Sequence, residues 1–379
     1  MSYPKLDIDC FKIHHNAQLI IEQLALKNVS VTPVTKSCLG HPIIARVLID
    51  AGASMLADSR VENIQRMVQG GITVPKMLIR TPMLSQIADV VAYCDITLNT
   101  EFQVIQQLSR VAKQLNIKHG VIIMVELGDL REGIMPNDVI GFIRKVILLP
   151  NIIIKGIGAN FSCRYGVAPD DKNMQLLSDL ADGIEATFGI TLDIISAGNS
   201  SSINWVLDHQ GGTRVNNLRV GEAIFLGCVP VEQNQIVGLY TDAITLTAEV
   251  IEAKIKPSLP WGHRGANAFG EKENLHDRGI VSQAILALGR QDVCITGLHP
   301  PDDMNIVSSS SDHLILETSK TSLIVGKNVQ FGLDYSAVLS AMSSSSVHKA
   351  FHHDYKINGS RGTIALGSAS QDIGPLAQH

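Results

Sequence analysis

Residues 31–51 read VTPVTKSCLGHPIIARVLIDA. Val31 and Val34 flank a short β-prone run that stops at Lys36. Ser37 to His41 read as a loop, and Pro42 opens an apolar helical pattern that ends before Gly52. The same strand–loop–helix unit recurs on the C-terminal side. Strands are expected at 54–58, 76–80, 94–98, 121–126, 152–160, 192–196 and from 217. Helices are expected at 60–69, 83–92, 101–115, 138–149, 171–188 and 200–208. Eight such alternations in roughly 200 residues predict an α/β fold, a (β/α)8 TIM barrel rather than an open sheet. Runs such as VIIMVEL (121–127) and IIIKGIG (152–158) are short and largely apolar, as expected of strands buried on both faces.

Either side of this rhythm the pattern differs. Residues 5–9 (KLDID) read as a strand and 10–28 as a helix with an apolar stripe through Ile13, Leu19, Ile20 and Leu24. After Gly227 the period becomes two: 237–255 alternates and is rich in Thr and Val. Further strands are expected at 281–289, 304–307, 313–318 and 322–332, with Gly/Pro-rich turns at 257–270 and 295–303. The organisation expected is a barrel over 10–230 and a C-terminal β-rich domain over 231–353, into which the strand 5–9 pairs. The polar, Gly/Ser-rich stretch 354–379 is expected to be a flexible tail.

Composition narrows the functional classes. The chain has 379 residues, 45% hydrophobic and 18% charged, with a net charge of −5. It carries no basic stripe, so nucleic acid and anionic membrane are not expected partners. No apolar run reaches the roughly 18 residues of a membrane span, and MSYPKLDIDC has no apolar core of a secretory signal. Cysteines 10, 38, 94, 163, 228 and 294 are scattered, with no CxxC and no metal-ligand spacing. Reduced thiols in a cytoplasmic protein are the expectation.

In a barrel, the chemistry sits at the C-terminal ends of the strands. Strand one ends in Lys36; an amine partly stripped of water there has a lowered pKa and can form a Schiff base with an aldehyde. Taken alone, it reads more simply as a surface lysine. Strand two runs into Asp58-Ser59-Arg60, which fits a helix cap equally well. Strand five leads to Arg131, strand six to Asn160, and strand eight carries Arg219 two residues before Gly221. Strand seven runs into SAGNSSS, where Ser196, Gly198, Asn199 and Ser200 form a small hydroxyl-rich loop opening a helix. Such a loop suits a phosphate, or is simply a helix cap. Barrels favour phosphate sites after strands seven and eight. A lysine at strand one with a phosphate cradle there suits pyridoxal 5'-phosphate.

These motifs are similar to those of the alanine racemase superfamily, the fold-type III pyridoxal-phosphate enzymes, and most to its ornithine racemase-like branch. The resemblance runs from about residue 5 to 353. It rests on VTK (34–36), ADSRVENI (57–64), MVELGDLREGI (124–134), GNSSS (198–202), NNLRVGEAIFLG (216–227), ILALGRQDV (285–293), SSDHLILE (310–317) and DYSAVLSAM (334–342). It implies a pyridoxal-phosphate-dependent amino-acid racemase. Lys36 would hold the cofactor as an internal aldimine and then act as general base on one face of the substrate Cα. Arg219 would meet the pyridine nitrogen. An arginine there cannot accept a proton, so the ring stays a weaker electron sink, which favours reprotonation at Cα. Asn199, Ser200, Gly221 and Tyr335 match the phosphate shell, Arg131 the arginine facing the phenolic oxygen, and Asn160 a position commonly held by histidine. Arg219 is also compatible with a structural ion pair, and Tyr335 with a core tyrosine.

One segment departs from the pattern. The family supplies its second acid/base as a tyrosine of the partner subunit, and the matching segment here is Gly289-Arg290-Gln291-Asp292. Asp292 and His313 are the candidates for that second base. Asp292 or Asp312 is a candidate to receive a cationic side-chain amine; these acids also fit solvated loops. The reading is a racemase for a basic amino acid such as ornithine or lysine, working as a homodimer with shared active sites. A fold-type III decarboxylase, aldolase or dehydratase competes with it, as does a non-enzymatic cofactor carrier. Arg219 counts against the decarboxylase and the extra β domain against the carrier.

Overall fold

The computed structural model describes residues 4–209, 211–229, 234–267, 269–270, 276–318 and 323–352. The chain starts with β1 (Lys5–Asp9) and α1 (Cys10–Ala25), then alternates: β2 (Ser30–Pro33), α2 (Pro42–Asp50), β3 (Leu56–Asp58), α3 (Val61–Gln69), β4 (Lys76–Leu78), α4 (Ile87–Tyr93), β5 (Ile96–Asn99), α5 (Phe102–Gln114). It continues with β6 (His119–Met124), α6 (Val139–Val146), β7 (Ile152–Ala159), α7 (Asp171–Phe188), β8 (Ile194–Ala197), α8 (Ile203–Asp208), β9 (Asn217–Val220) and α9 (Glu222–Leu226).

All pairings among β2 to β9 are parallel, in the order β2-β9-β8-β7-β6-β5-β4-β3. A parallel bridge between Val34 and Ala57 joins the two end strands, with the Thr35 N–H on the Ala57 carbonyl at 2.8 Å. The result is the expected (β/α)8 barrel. Its strands bury both faces, which is why they read as apolar runs and not as alternation.

Side chains pointing inward form two unlike halves. Val34, Ala57, Met77, Ile96, Leu98, Ile122 and Met124 make an apolar plug, separate from the larger core between strands and helices. Opposite it, β2, β8 and β9 turn polar side chains inward. The Asn217 amide donates to Thr32 Oγ1 at 2.9 Å, and Ser196 Oγ donates to Asn217 Oδ1 at 2.6 Å. Arg219 donates to Ser196 Oγ at 2.5 Å. This file of hydrogen bonds leads from the barrel floor to its mouth.

The second unit is antiparallel. It holds β10 (Ile244–Pro257), β11 (Ile280–Leu286), β12 (Leu298–His299), β13 (Met304–Ser309), β14 (Leu314–Thr318), β15 (Asn328–Leu333), α10 (Tyr335–Ser343) and β16 (His348–His352). Its main order is β12-β15-β10-β11-β14-β13. β1 lies between β10, antiparallel, and β16, parallel, so the N-terminal strand sits in the C-terminal sheet.

Three differences from the sequence reading have local causes. Lys36 does not end a strand: it opens a 3-10 turn, Lys36–Cys38, after the last sheet bonds, from the Val34 N–H to Val220 and the Thr35 N–H to Ala57. Residues 237–243 alternate without being a strand. Asn16 of α1 takes the place of a strand partner, accepting from the Tyr240 N–H and donating to its carbonyl, both at 2.8 Å. The helix α10 is unannounced by period; the Asp334 carboxylate starts it by accepting from the Ala337 N–H at 2.8 Å. Residue 322, residues 230–233 and the expected tail at 354–379 lie outside the described residues.

Candidate active site

The barrel mouth holds a cavity of about 600 Å³. Lys36 and Ser37 line it from the first turn, Arg131 and Glu132 from the loop after β6, and Asn160, Ser162 and Cys163 from the loop after β7. Asn199 and Ser200 follow β8, and Arg219, Gly221 and Glu222 follow β9. Tyr335 enters from the second unit, because α10 packs on the Lys36–Cys38 turn.

Lys36 is held by what surrounds it. Thr35 Oγ1 donates to the Asp58 carboxylate at 2.7 Å, and Asp58 also accepts from Asn63 Nδ2 at 2.9 Å and the Arg60 N–H at 3.0 Å. Asp58 is fully buried and burial pushes its carboxyl upward. It ties the end of β2 to the start of α3 and so fixes the backbone beside the lysine. The Lys36 ammonium lies 5.6 Å from the centroid of the Tyr335 ring. Burial, with Glu222 as the next cause, raises the Tyr335 phenol, which keeps it neutral.

Arg219 is 4% exposed, and its second anchor is the Ala159 carbonyl, at 2.8 Å from Nη2. Burial pulls its guanidinium down to about 10, with Glu132 opposing, so it remains a cation at neutral pH. Arg131 makes a two-point ion pair with its neighbour Glu132. With the Asn160 amide oxygen turned toward Arg131, it accepts from both guanidinium nitrogens at 3.1 and 2.8 Å.

The loops after β8 and β9 are built close together. Asn199 caps its own turn, accepting from the Ser201 N–H at 2.9 Å, and donates to the Phe161 carbonyl at 2.7 Å. Ser200 Oγ accepts from the Ala223 N–H at 3.1 Å, joining the two loops. Side chains would crowd this junction. A Cβ at Gly198, where φ is +88°, would stand 2.4 Å from Ser202 Oγ; one at Gly221 would stand 3.1 Å from the Val34 carbonyl. The buried hydroxyls of Ser201 and Ser202 have no hydrogen-bond partner among the described residues.

Lys36, Arg131, Asn160, Asn199, Ser200, Arg219, Gly221 and Tyr335 therefore meet at one cavity. Three expected site residues stand elsewhere. Ser196 is fully buried behind Arg219, its hydroxyl shared between Arg219 and Asn217, and it does not face the cavity. Asp292 is buried in its own loop, where it accepts from the Gly289 N–H at 2.8 Å. His313 pairs with Asp312 at 2.9 Å and is about half exposed. Neither Asp292 nor His313 lines this chain's cavity.

The sequence reading missed Glu222, Glu132, Arg80 and Cys163, which also line the cavity. Glu222 follows Gly221 at a strand end, but its place in the first turn of α9 makes it read as an ordinary helix-start acid. Burial pushes its carboxyl up to about 7, Lys36 opposing and Asp334 adding.

A family model described as alanine racemase, N-terminal domain, matches residues 8–228. The chain is 40% identical to an ornithine racemase of Acetoanaerobium sticklandii over 352 residues, covering 92% of this chain and 99% of that protein. It is 34% identical to a lysine racemase of Thermotoga maritima over 353 residues, covering 93% and 99%. An alanine racemase structure from D-cycloserine-producing Streptomyces lavendulae superposes with a TM-score of 0.75 at 15% identity, covering 94% of this chain and 98% of that chain. At that identity the likeness speaks for the fold, and the fold agrees with the matches along the sequence. The chain belongs to the alanine racemase family and is an amino-acid racemase.

Proposed function

We propose that this racemase uses pyridoxal 5'-phosphate and interconverts the L and D forms of a basic amino acid, ornithine or lysine. The observation that carries the reading is the near full-length similarity to an ornithine and a lysine racemase. The convergence of Lys36, Arg219 and Tyr335 on one cavity supports it.

The residues fit the cofactor. Lys36 offers the amine for its aldehyde. The glycines and hydroxyls after β8 and β9 leave a polar hollow suited to its phosphate, with Asn199, Ser200, Gly221 and Tyr335 around it. When bound, pyridoxal phosphate supplies the electron sink that acidifies the Cα–H bond.

The chain's own residues do the rest. The Lys36 amine takes or returns the proton on one face of Cα. Arg219, pinned by Ser196 and the Ala159 carbonyl, presents N–H groups that donate and accept no proton. Arg131, steadied by Glu132 and Asn160, offers a cation for a carboxylate or phenolate.

The opposite face of Cα has no acid/base assigned from this chain's cavity. In the homodimer we propose, the partner would bring its loops 289–292 and 310–313 to that face. These loops pack together, the Arg290 and Gln291 N–H groups on the carbonyls of Ser310 and Ser311 at 3.0 Å each.

The test is α-proton exchange. The cofactor-loaded full chain is incubated in D2O with L-ornithine, L-lysine, L-alanine and L-serine, followed by proton NMR and chiral chromatography. α-Deuteration with appearance of the D isomer of ornithine or lysine is expected. A new amine or carbonyl product would replace the reading with a decarboxylase or aldolase, and exchange on no amino acid would favour a cofactor carrier. Reduction with borohydride should fix the cofactor's mass on Lys36.

A further inference from the structure

The cavity is lined by two acids among the described residues, Glu132 and Glu222. They are not in the same state. Both carboxylate oxygens of Glu132 are taken up by Arg131. Glu222 is half-buried, and its carboxyl makes no hydrogen bond or ion pair within the described residues. The charges that act on it are Lys36, on the first turn, and Asp334, on the segment leading into α10. Tyr335 and Cys228 are the other titratable groups that sense it.

A carboxyl partly out of water and without a donor is costly unless a cation reaches it. Lys36 is not a standing cation for it: it is a neutral amine when it takes the proton from Cα and an ammonium only while it carries that proton. Glu222 is then the cavity's uncommitted acid, and it stands on the Lys36 side of the mouth. A diamino acid brings its own cation, the side-chain ammonium. The two acids that the sequence offered for this task are otherwise engaged. Asp292 holds the Gly289 N–H and Asp312 pairs with His313, and neither lines this chain's own cavity.

We propose that Glu222 is the carboxylate that receives the side-chain ammonium of the substrate and so sets the preference for a basic amino acid. This rests on the racemase reading above. The charge state follows. Burial holds the Glu222 carboxyl above the usual carboxylate range, so the preference strengthens as pH rises and the carboxyl ionises.

The experiment compares ornithine with norvaline, which has the same carbon chain and no side-chain amine. The cofactor-loaded wild type, Glu222→Gln and Glu222→Asp are assayed for kcat/KM. Dissociation constants are read separately from the change in cofactor absorbance on adding each amino acid. In Glu222→Gln the ornithine-to-norvaline ratio should fall by about 30-fold or more, the loss expected for one charge-assisted hydrogen bond. The ratio of dissociation constants should fall with it, and Glu222→Asp should keep part of the preference. Ratios within about twofold of wild type overturn the proposal. That includes the case in which both substrates fall together, since Glu222 would then serve Lys36 or the fold. A ratio that falls instead in Asp292→Asn or Asp312→Asn moves the recognition to the partner's loops and also overturns it. If the wild type racemises alanine or serine but no basic amino acid, the substrate reading itself fails, whatever the variants do.

Discussion

The inside of the barrel is two materials. On the β3 to β6 side it is a plug of Ala57, Met77, Ile96, Leu98, Ile122 and Met124. On the β2, β8 and β9 side it is a hydrogen-bonded file from Thr32 through Asn217 and Ser196 to Arg219. The plug asks nothing of direction: it gains by excluding water and filling space. The file gains little net stability, because each bond replaces one to water. What it provides is a fixed place for a buried guanidinium at the mouth. The same sheet thus supplies stability from one half and an oriented charge from the other.

This comparison is breakable by substitution. The largest expected effect is on the plug. Ile122 is fully buried there, and Ile122→Ala should cost about 4 kcal/mol of stability, a transfer term plus a cavity the barrel cannot collapse into. Urea denaturation of the barrel would measure it. On the file side, Arg219→Met should do the reverse. It should cut kcat about 100-fold, near 3 kcal/mol, while stability changes by roughly 1–2 kcal/mol. If Arg219→Met destabilises as much as Ile122→Ala, the division into a stabilising half and a positioning half is wrong.

The plug was easier to read than the file, for a physical reason. Buried strands are short, largely apolar runs, so VIIMVEL and IIIKGIG announced the barrel before any pairing was known. Lys36, Arg131, Asn160 and Arg219 were legible as polar residues at the ends of such runs. Ser196 was misplaced because the serine that opens SAGNSSS looks like part of the loop; only strand direction sends it inward. Glu222 was hidden because an acid after glycine at a helix start reads as an ordinary first-turn acid. The second base was out of reach altogether: Asp292 and His313 are close to the matching segment in sequence, and sequence says nothing of which cavity a loop faces. Tyr335 came from the family pattern alone, since α10 begins at a cap and not at a periodic stripe.

The finest test of the file is Ser196→Ala. The hydroxyl is the file's middle link: it accepts from Arg219 at 2.5 Å and donates to Asn217 at 2.6 Å. Removing it leaves the Asn217 oxygen short of a donor and Arg219 Nη1 with a 3.3 Å contact to the Ser196 carbonyl. The expected stability loss is about 1 kcal/mol, the usual net worth of such a bond. A residue that only supported the fold would stop there. A residue that positions Arg219 should also lower kcat about fivefold with KM little changed, because the guanidinium can then shift on its remaining anchors, the Ala159 and Ser196 carbonyls. Ser196→Thr, which keeps the hydroxyl, should restore kcat. If Ser196→Ala loses stability and keeps kcat, Arg219 is held by its carbonyl anchors alone, and the file ends at Asn217.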